Sequence, residues 1–198
     1  MGSFFSHAAD RFLLDPAGNT IAVIVLLFMV VCVVYVILDF LNEEATRLDK
    51  LPTWLIPVFA VGGICVSLYL SFVELSKTEA FCGPVGDCNS VQQSRYATLF
   101  GILPIGVFGM FGYGLILITW MVNEFGPKSI RPYSRFITWI MAFFGILFSI
   151  YLTFLEPFVI GATCMWCITS ALIISFLLLA STGGAKALWT SDDGFSSG

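Results

Sequence analysis

Five long apolar runs decide what this 198-residue chain can fold into. They cover roughly residues 21–41, 54–75, 99–121, 136–158 and 165–180. About 20 apolar residues in a helix cross the ~30 Å hydrocarbon layer of a bilayer. The composition agrees, with 58% of residues hydrophobic and 11% charged, where soluble domains carry roughly 25% charge. Mean hydropathy is +0.94. The chain therefore reads as an all-α polytopic membrane protein with five spans. Its net charge of −4 is scattered, with no basic run, which argues against nucleic acid as a partner.

Residues 1–19 read as polar and irregular, without the basic start and cleavage site of a signal peptide. The third run is rich in glycine, the residue that lets membrane helices approach closely, and Pro104 is expected to kink its first turns. Arg47, Lys50, Lys128, Arg131, Arg135 and Lys186 fall on one side of the five spans, and Arg11, Lys77 and Arg95 on the other. The excess of positive charge places the first side in the cytoplasm and the N-terminus outside.

That orientation puts four cysteines on the outer, oxidising face, where disulfides persist. Cys164 and Cys167 open the fifth run as Cys-Met-Trp-Cys. Two cysteines three apart at a helix start share a face and can close a disulfide. The helix N-terminus favours a thiolate, the species that attacks disulfides and electrophiles. Cys82 and Cys88 flank Gly83, Pro84 and Gly86 in the loop between the second and third spans, a small flexible ring. Zinc is a poor explanation, because the Cys82–Cys88 spacing is unsuitable and the one histidine, His7, is remote. No metal is expected.

Two dithiols, one on a mobile loop and one at the membrane surface, suit a relay through mixed disulfides. Its inner end needs an electron acceptor, and lipid quinones dissolve at that depth. A structural scaffold with bracing disulfides and a transporter are the readings from other classes. The spans carry almost none of the mid-depth polar residues that a transporter needs. Disulfides Cys82–Cys88, Cys88–Cys164 and Cys164–Cys167 all remain open as resting states.

The order Cys82, Cys88, Ser94, the run Phe100-Gly101-Ile102-Leu103-Pro104-Ile105-Gly106 and Cys164-x-x-Cys167 resembles the vitamin K epoxide reductase (VKOR) family. The Ala97-Thr98-Leu99-Phe100-Gly101 run resembles its prokaryotic branch. The resemblance implies a four-helix bundle over residues 54–182. Residues 1–53 would add an extra span, and residues 183–198 a disordered cytoplasmic tail. It also implies a membrane thiol:quinone oxidoreductase that promotes disulfide formation. Cys82 would meet the partner, Cys88 would form a transient disulfide with Cys164, and Cys167 would react with quinone. Ser94 would hold the reacting cysteine or a ring oxygen. The acceptor would be a menaquinone, ubiquinone or phylloquinone type, and the donor a separate extracytoplasmic thioredoxin-like protein. Reduction of a small vitamin K quinone or epoxide is the alternative within the family. Ala171 disfavours it, standing where the animal enzymes have a substrate-contacting tyrosine.

Several residues fall outside the relay. Phe148, Leu152 and Leu155 share a face of the fourth span and are candidates for a quinone pocket wall. Cys32 and Cys65 read as small buried hydrophobes. Asp39, Glu74 and Glu156 lie near span ends and are expected to be solvated. Trp166 reads as an aromatic anchor at the membrane interface.

Overall fold

A computed structural model of the chain describes residues 2–42, 48–83, 85–99 and 103–193. Arg47, Pro84, the Phe100-Gly101-Ile102 stretch and residues 194–198 lie outside the described residues. The elements run α1 (Gly2–Phe12), α2 (Pro16–Leu41), a 3-10 turn (Leu48–Lys50), α3 (Leu55–Ser76) and α4 (Cys88–Gln92). Then follow β1 (Thr98–Leu99), β2 (Leu103–Pro104), α5 (Ile105–Phe125), α6 (Arg131–Leu155) with a π-helical extension (Glu156–Ile160), and α7 (Met165–Asp193). Five of these helices are long and apolar enough to cross a membrane. The two strands form one short antiparallel ladder, with Thr98 opposite Pro104, so the fold is all-α.

Helices α3, α5, α6 and α7 make the four-helix bundle, and α2 lies against α6 and α7. In lipid, helices associate through close packing rather than through release of water. A Cβ on Gly63 would lie 2.5 Å from the Tyr113 ring, and one on Gly106 would lie 2.7 Å from Ser71. These glycines let α3 and α5 touch. Helix α2 presents Ala22, Val25, Met29, Cys32 and Val36 inward at three- and four-residue spacing. Its other face, with Leu27, Val31 and Leu38, is exposed, as a lipid-facing surface must be. Cys32 is buried as expected, whereas Cys65 is exposed on α3.

The ends of the chain depart from the sequence reading. Residues 2–12 are helical rather than irregular, and α1 packs on the π-helical turn. Asp15 caps α2 by accepting the Gly18 N–H (3.1 Å), with Pro16 at the first helical position, so the first span begins five residues early. Pro104 is the extended residue before α5 rather than a kink inside it, so that span starts at Ile105. At the other end α7 continues past Ala180 to Asp193, where a disordered tail was expected from residue 183. Ser181, Thr182, Ala185 and Lys186 are buried against the bundle, which holds the extra turns. Lys186 reaches Asp39 of α2 at 3.7 Å, and both side chains are buried. Asp39, 3% exposed, is therefore paired within the protein rather than solvated.

Candidate active site

Both cysteine pairs lie at one end of the bundle. Helix α3 stops at Lys77, which takes a left-handed conformation, and the chain turns into the loop that carries Cys82. Asp87 restarts a helix: its carboxylate accepts the Ser90 N–H (3.1 Å) and hydroxyl (2.5 Å). The Ser90 bonds hold the Asp87 carboxyl below the usual range. Cys82 and Cys88 form a disulfide with Cα atoms 5.8 Å apart, and the Cys88 N–H points at Cys82 Sγ (2.8 Å).

The loop is clamped from two helices. Tyr69 of α3 accepts the Phe81 N–H through its hydroxyl (2.8 Å), while Trp166 Nε1 of α7 donates to the Phe81 carbonyl (2.9 Å). The two rings lie 4.4 Å apart. Trp166 is thus a latch on the loop rather than a lipid anchor. One turn on, the Asp87 N–H donates to the Thr163 carbonyl (3.0 Å). Gly86 makes this possible: its φ is +88°, and a Cβ there would sit 2.5 Å from that carbonyl. Docking buries Cys88 and Cys164 completely, in one cluster with Val91 and Ala162. Cys82 stays partly exposed.

Cys164 and Cys167 are thiols here. Cys164 sits just before α7, and its thiol is held below the usual range. The Cys167 side chain is the main cause; the N–H groups of Cys167 and Trp166 and the Gln92 side chain add to it, and burial opposes it. The backbone N–H contribution acts in the direction expected of a helix start, behind that of the Cys167 side chain. Glu156, only 2% exposed, departs from the solvated group expected. Its Oε2 accepts the Cys164 N–H (3.2 Å), and its carboxyl is hydrogen-bonded with the Cys167 thiol. The π-helical turn that carries it ends at Gly161, φ +81°, against the Arg11 carbonyl of α1.

Two cavities meet at Cys167. One, of about 120 Å³, is lined by Phe148, Leu152, Cys167, Phe108, Gly109 and Tyr113 among others. It is mostly apolar, with the Tyr113 hydroxyl bonded to Ser170 at its edge (2.9 Å). The second, about 50 Å³, holds Ser94, Gln92, Tyr96, Glu156 and Cys167. Ser94 accordingly reaches the neighbourhood of Cys167, although its hydroxyl accepts the Tyr96 N–H (3.3 Å). A larger cavity of about 400 Å³ lies at the opposite end, near Asn123 and Arg135, away from the four cysteines.

The sequence profile of the Vitamin K epoxide reductase family matches residues 54–182, well over half of the chain. The chain belongs to that family. The family region starts one residue before α3, leaving α1 and α2 outside it, and contains all four clustered cysteines. The chain is also similar to Thiol-disulfide oxidoreductase LTO1 of Arabidopsis thaliana, 29% identical over 131 residues. The match covers 60% of this chain and 32% of that relative, so the chain spans about a third of the curated relative's length.

Reading the sequence for the family's cysteines missed the groups that hold them. Tyr69, Gln92, Glu156 and the Asn19–Thr163 contact from the extra helix carry no spacing signal of their own. An Asp followed three residues later by Ser, as at Asp87 and Ser90, is the signal that could have located this helix start.

Proposed function

We propose that the protein is a membrane thiol oxidoreductase that takes two electrons from an extracytoplasmic thioredoxin-like protein and passes them to a membrane quinone. The observation that carries this reading is the shared burial of Cys88 and Cys164, 76 positions apart, with Asp87 bonded to Thr163 beside them. A hand-off between pairs needs that contact and little else.

In this reading the partner's dithiol attacks Cys82, its own disulfide forms, and Cys82 and Cys88 are left as thiols. Cys88 then attacks Cys164 in an oxidised Cys164–Cys167 pair, and Cys82 closes back on Cys88. The inner pair is left reduced and the outer pair oxidised, the arrangement described above. Quinone, when bound, accepts two electrons and two protons. The mostly apolar cavity of about 120 Å³ beside Cys167 supports a ring site there, being of the order of the ~150 Å³ apolar cavities that take up benzene. Phe148, Leu152 and Phe108 would wall it, and Ser94 would lie at its outer edge. The cysteines would face the outside of the membrane, as the charge distribution implies.

The test is quinone reduction by purified protein, followed by absorbance with a reduced thioredoxin-like protein as donor. Cys164→Ala and Cys167→Ala should abolish it. Cys82→Ala should lose turnover by the protein thiol while keeping an inner disulfide. Full protein-thiol activity in Cys82→Ala would refute the outer-shuttle assignment.

A further inference from the structure

Glu156 is a carboxyl group buried between the two inner cysteines, and the relay just described gives it no task. It sits where the π-helical turn brings it under the α7 N-terminus, bonded to the Cys164 N–H and to the Cys167 thiol. Burying a carboxyl at 2% exposure is costly unless it is neutral or well bonded. The adjoining cavity of about 50 Å³ has the volume that an ordered water requires, and Gln92, Ser94, Tyr96 and Glu156 are the polar residues of its otherwise apolar lining. Cys164 and Cys167 are the ionisable groups that act on Glu156. On the elements packed around it, Arg11 of α1 instead donates to the Ile160 carbonyl, Asp15 caps α2 and Asp87 caps α4.

We propose that Glu156 is the catalytic proton donor and acceptor for Cys167. When Cys88 thiolate attacks Cys164, the Cys88–Cys164 bond forms and the Cys164–Cys167 bond breaks. The electron pair of the broken bond leaves on Cys167, which takes the proton of the Glu156 carboxylic acid. Cys82 then displaces Cys164 from Cys88, and Cys164 departs as the thiolate that its helix N-terminus favours. Water in the adjoining cavity solvates the Glu156 carboxylate so formed, which persists until the inner pair is reoxidised. In the opposite direction, as the inner pair passes its two electrons to the quinone and closes its disulfide, Glu156 takes the Cys167 proton. The inference rests on the relay reading.

The experiment leaves quinone out. Fully oxidised protein is mixed with saturating dithiothreitol, quenched with an alkylating agent, and the appearance of the Cys167 thiol is timed by mass spectrometry from pH 5 to 9. Wild type should give a bell: the rising limb is Cys88 ionising and the falling limb is Glu156 losing its proton. Glu156→Gln keeps an acceptor for the Cys164 N–H, so a merely structural role predicts a wild-type profile. The proposal predicts that the falling limb disappears and that the optimum rate drops at least tenfold. Glu156→Asp should restore the limb at reduced height. A Gln variant with the falling limb intact and a rate within twofold of wild type would overturn the proposal. So would a wild-type profile with no falling limb, which needs no variant to fold. Quinone-linked turnover of wild type separately judges the acceptor, so the two readings fail independently.

Discussion

Cys164 owes its low thiol value first to the Cys167 side chain, and only then to the N–H groups of its helix. Cys167→Ala should therefore move the alkylation profile of Cys164 to higher pH, toward the ordinary thiol value of about 8.5. Cys167→Ser, which can still donate, should move it less. Mass-spectrometric counting of labelled Cys164 against pH checks both. Asp87 works through a cap. Its folded carboxyl value lies below the unfolded one, so its contribution is complete above the ordinary carboxylate range and is lost as pH falls through the lowered value. Hydrogen exchange at the Ser90 amide should accelerate over that acidic window in wild type. In Asp87→Ala it should be fast throughout, at a stability cost of about 0.5–1 kcal/mol for an exposed cap.

The extra N-terminal element works at the scale of elements. Asn19 of α2 is fully buried; it accepts the Thr163 hydroxyl (3.0 Å) and donates to the Phe12 carbonyl (3.0 Å). Arg11 reaches the Ile160 carbonyl, and the Phe12 and Phe158 rings lie 6.5 Å apart. Together α1 and α2 brace the turn that delivers Cys164. Asn19→Ala leaves a buried hydroxyl without its partner, a loss of about 1–3 kcal/mol that thermal unfolding in detergent would read. The same variant should slow transfer between the cysteine pairs. Gly86→Ala attacks docking from the other side, since neither its φ nor the 2.5 Å approach to Thr163 admits a Cβ. It should retain the Cys82–Cys88 disulfide and lose most inner-pair reduction. At the far end, Asp39→Ala removes a buried carboxylate that meets Lys186 and should lower stability, read by the same unfolding assay.

Across the whole molecule, what could be read from the chain was whatever hydropathy and spacing carry. Five spans follow from length and apolarity, and the four cysteines stand out because pairs of sulfurs have few other uses at such positions. Helix limits were less legible where tertiary contacts set them. Gly183 and Gly184 look like a helix stop, yet α7 runs on because Lys186 and Ala185 are buried against its neighbours. Asp39 and Glu156 looked solvated because distance along a span says nothing of which neighbour closes over it. Trp166 looked like a membrane anchor because its partner, the Phe81 carbonyl, lies 85 positions away. An impermeant maleimide applied to intact cells should label Cys82 after reduction; labelling only after permeabilisation would reverse the proposed orientation.

The central claim is the hand-off between Cys88 and Cys164. A Cys82→Ser/Cys167→Ser double variant keeps only one sulfur of each pair. After mild oxidation with diamide, disulfide mapping by mass spectrometry should find a Cys88–Cys164 bridge in most molecules. Recovery of both cysteines as free thiols, in folded protein, would contradict the account.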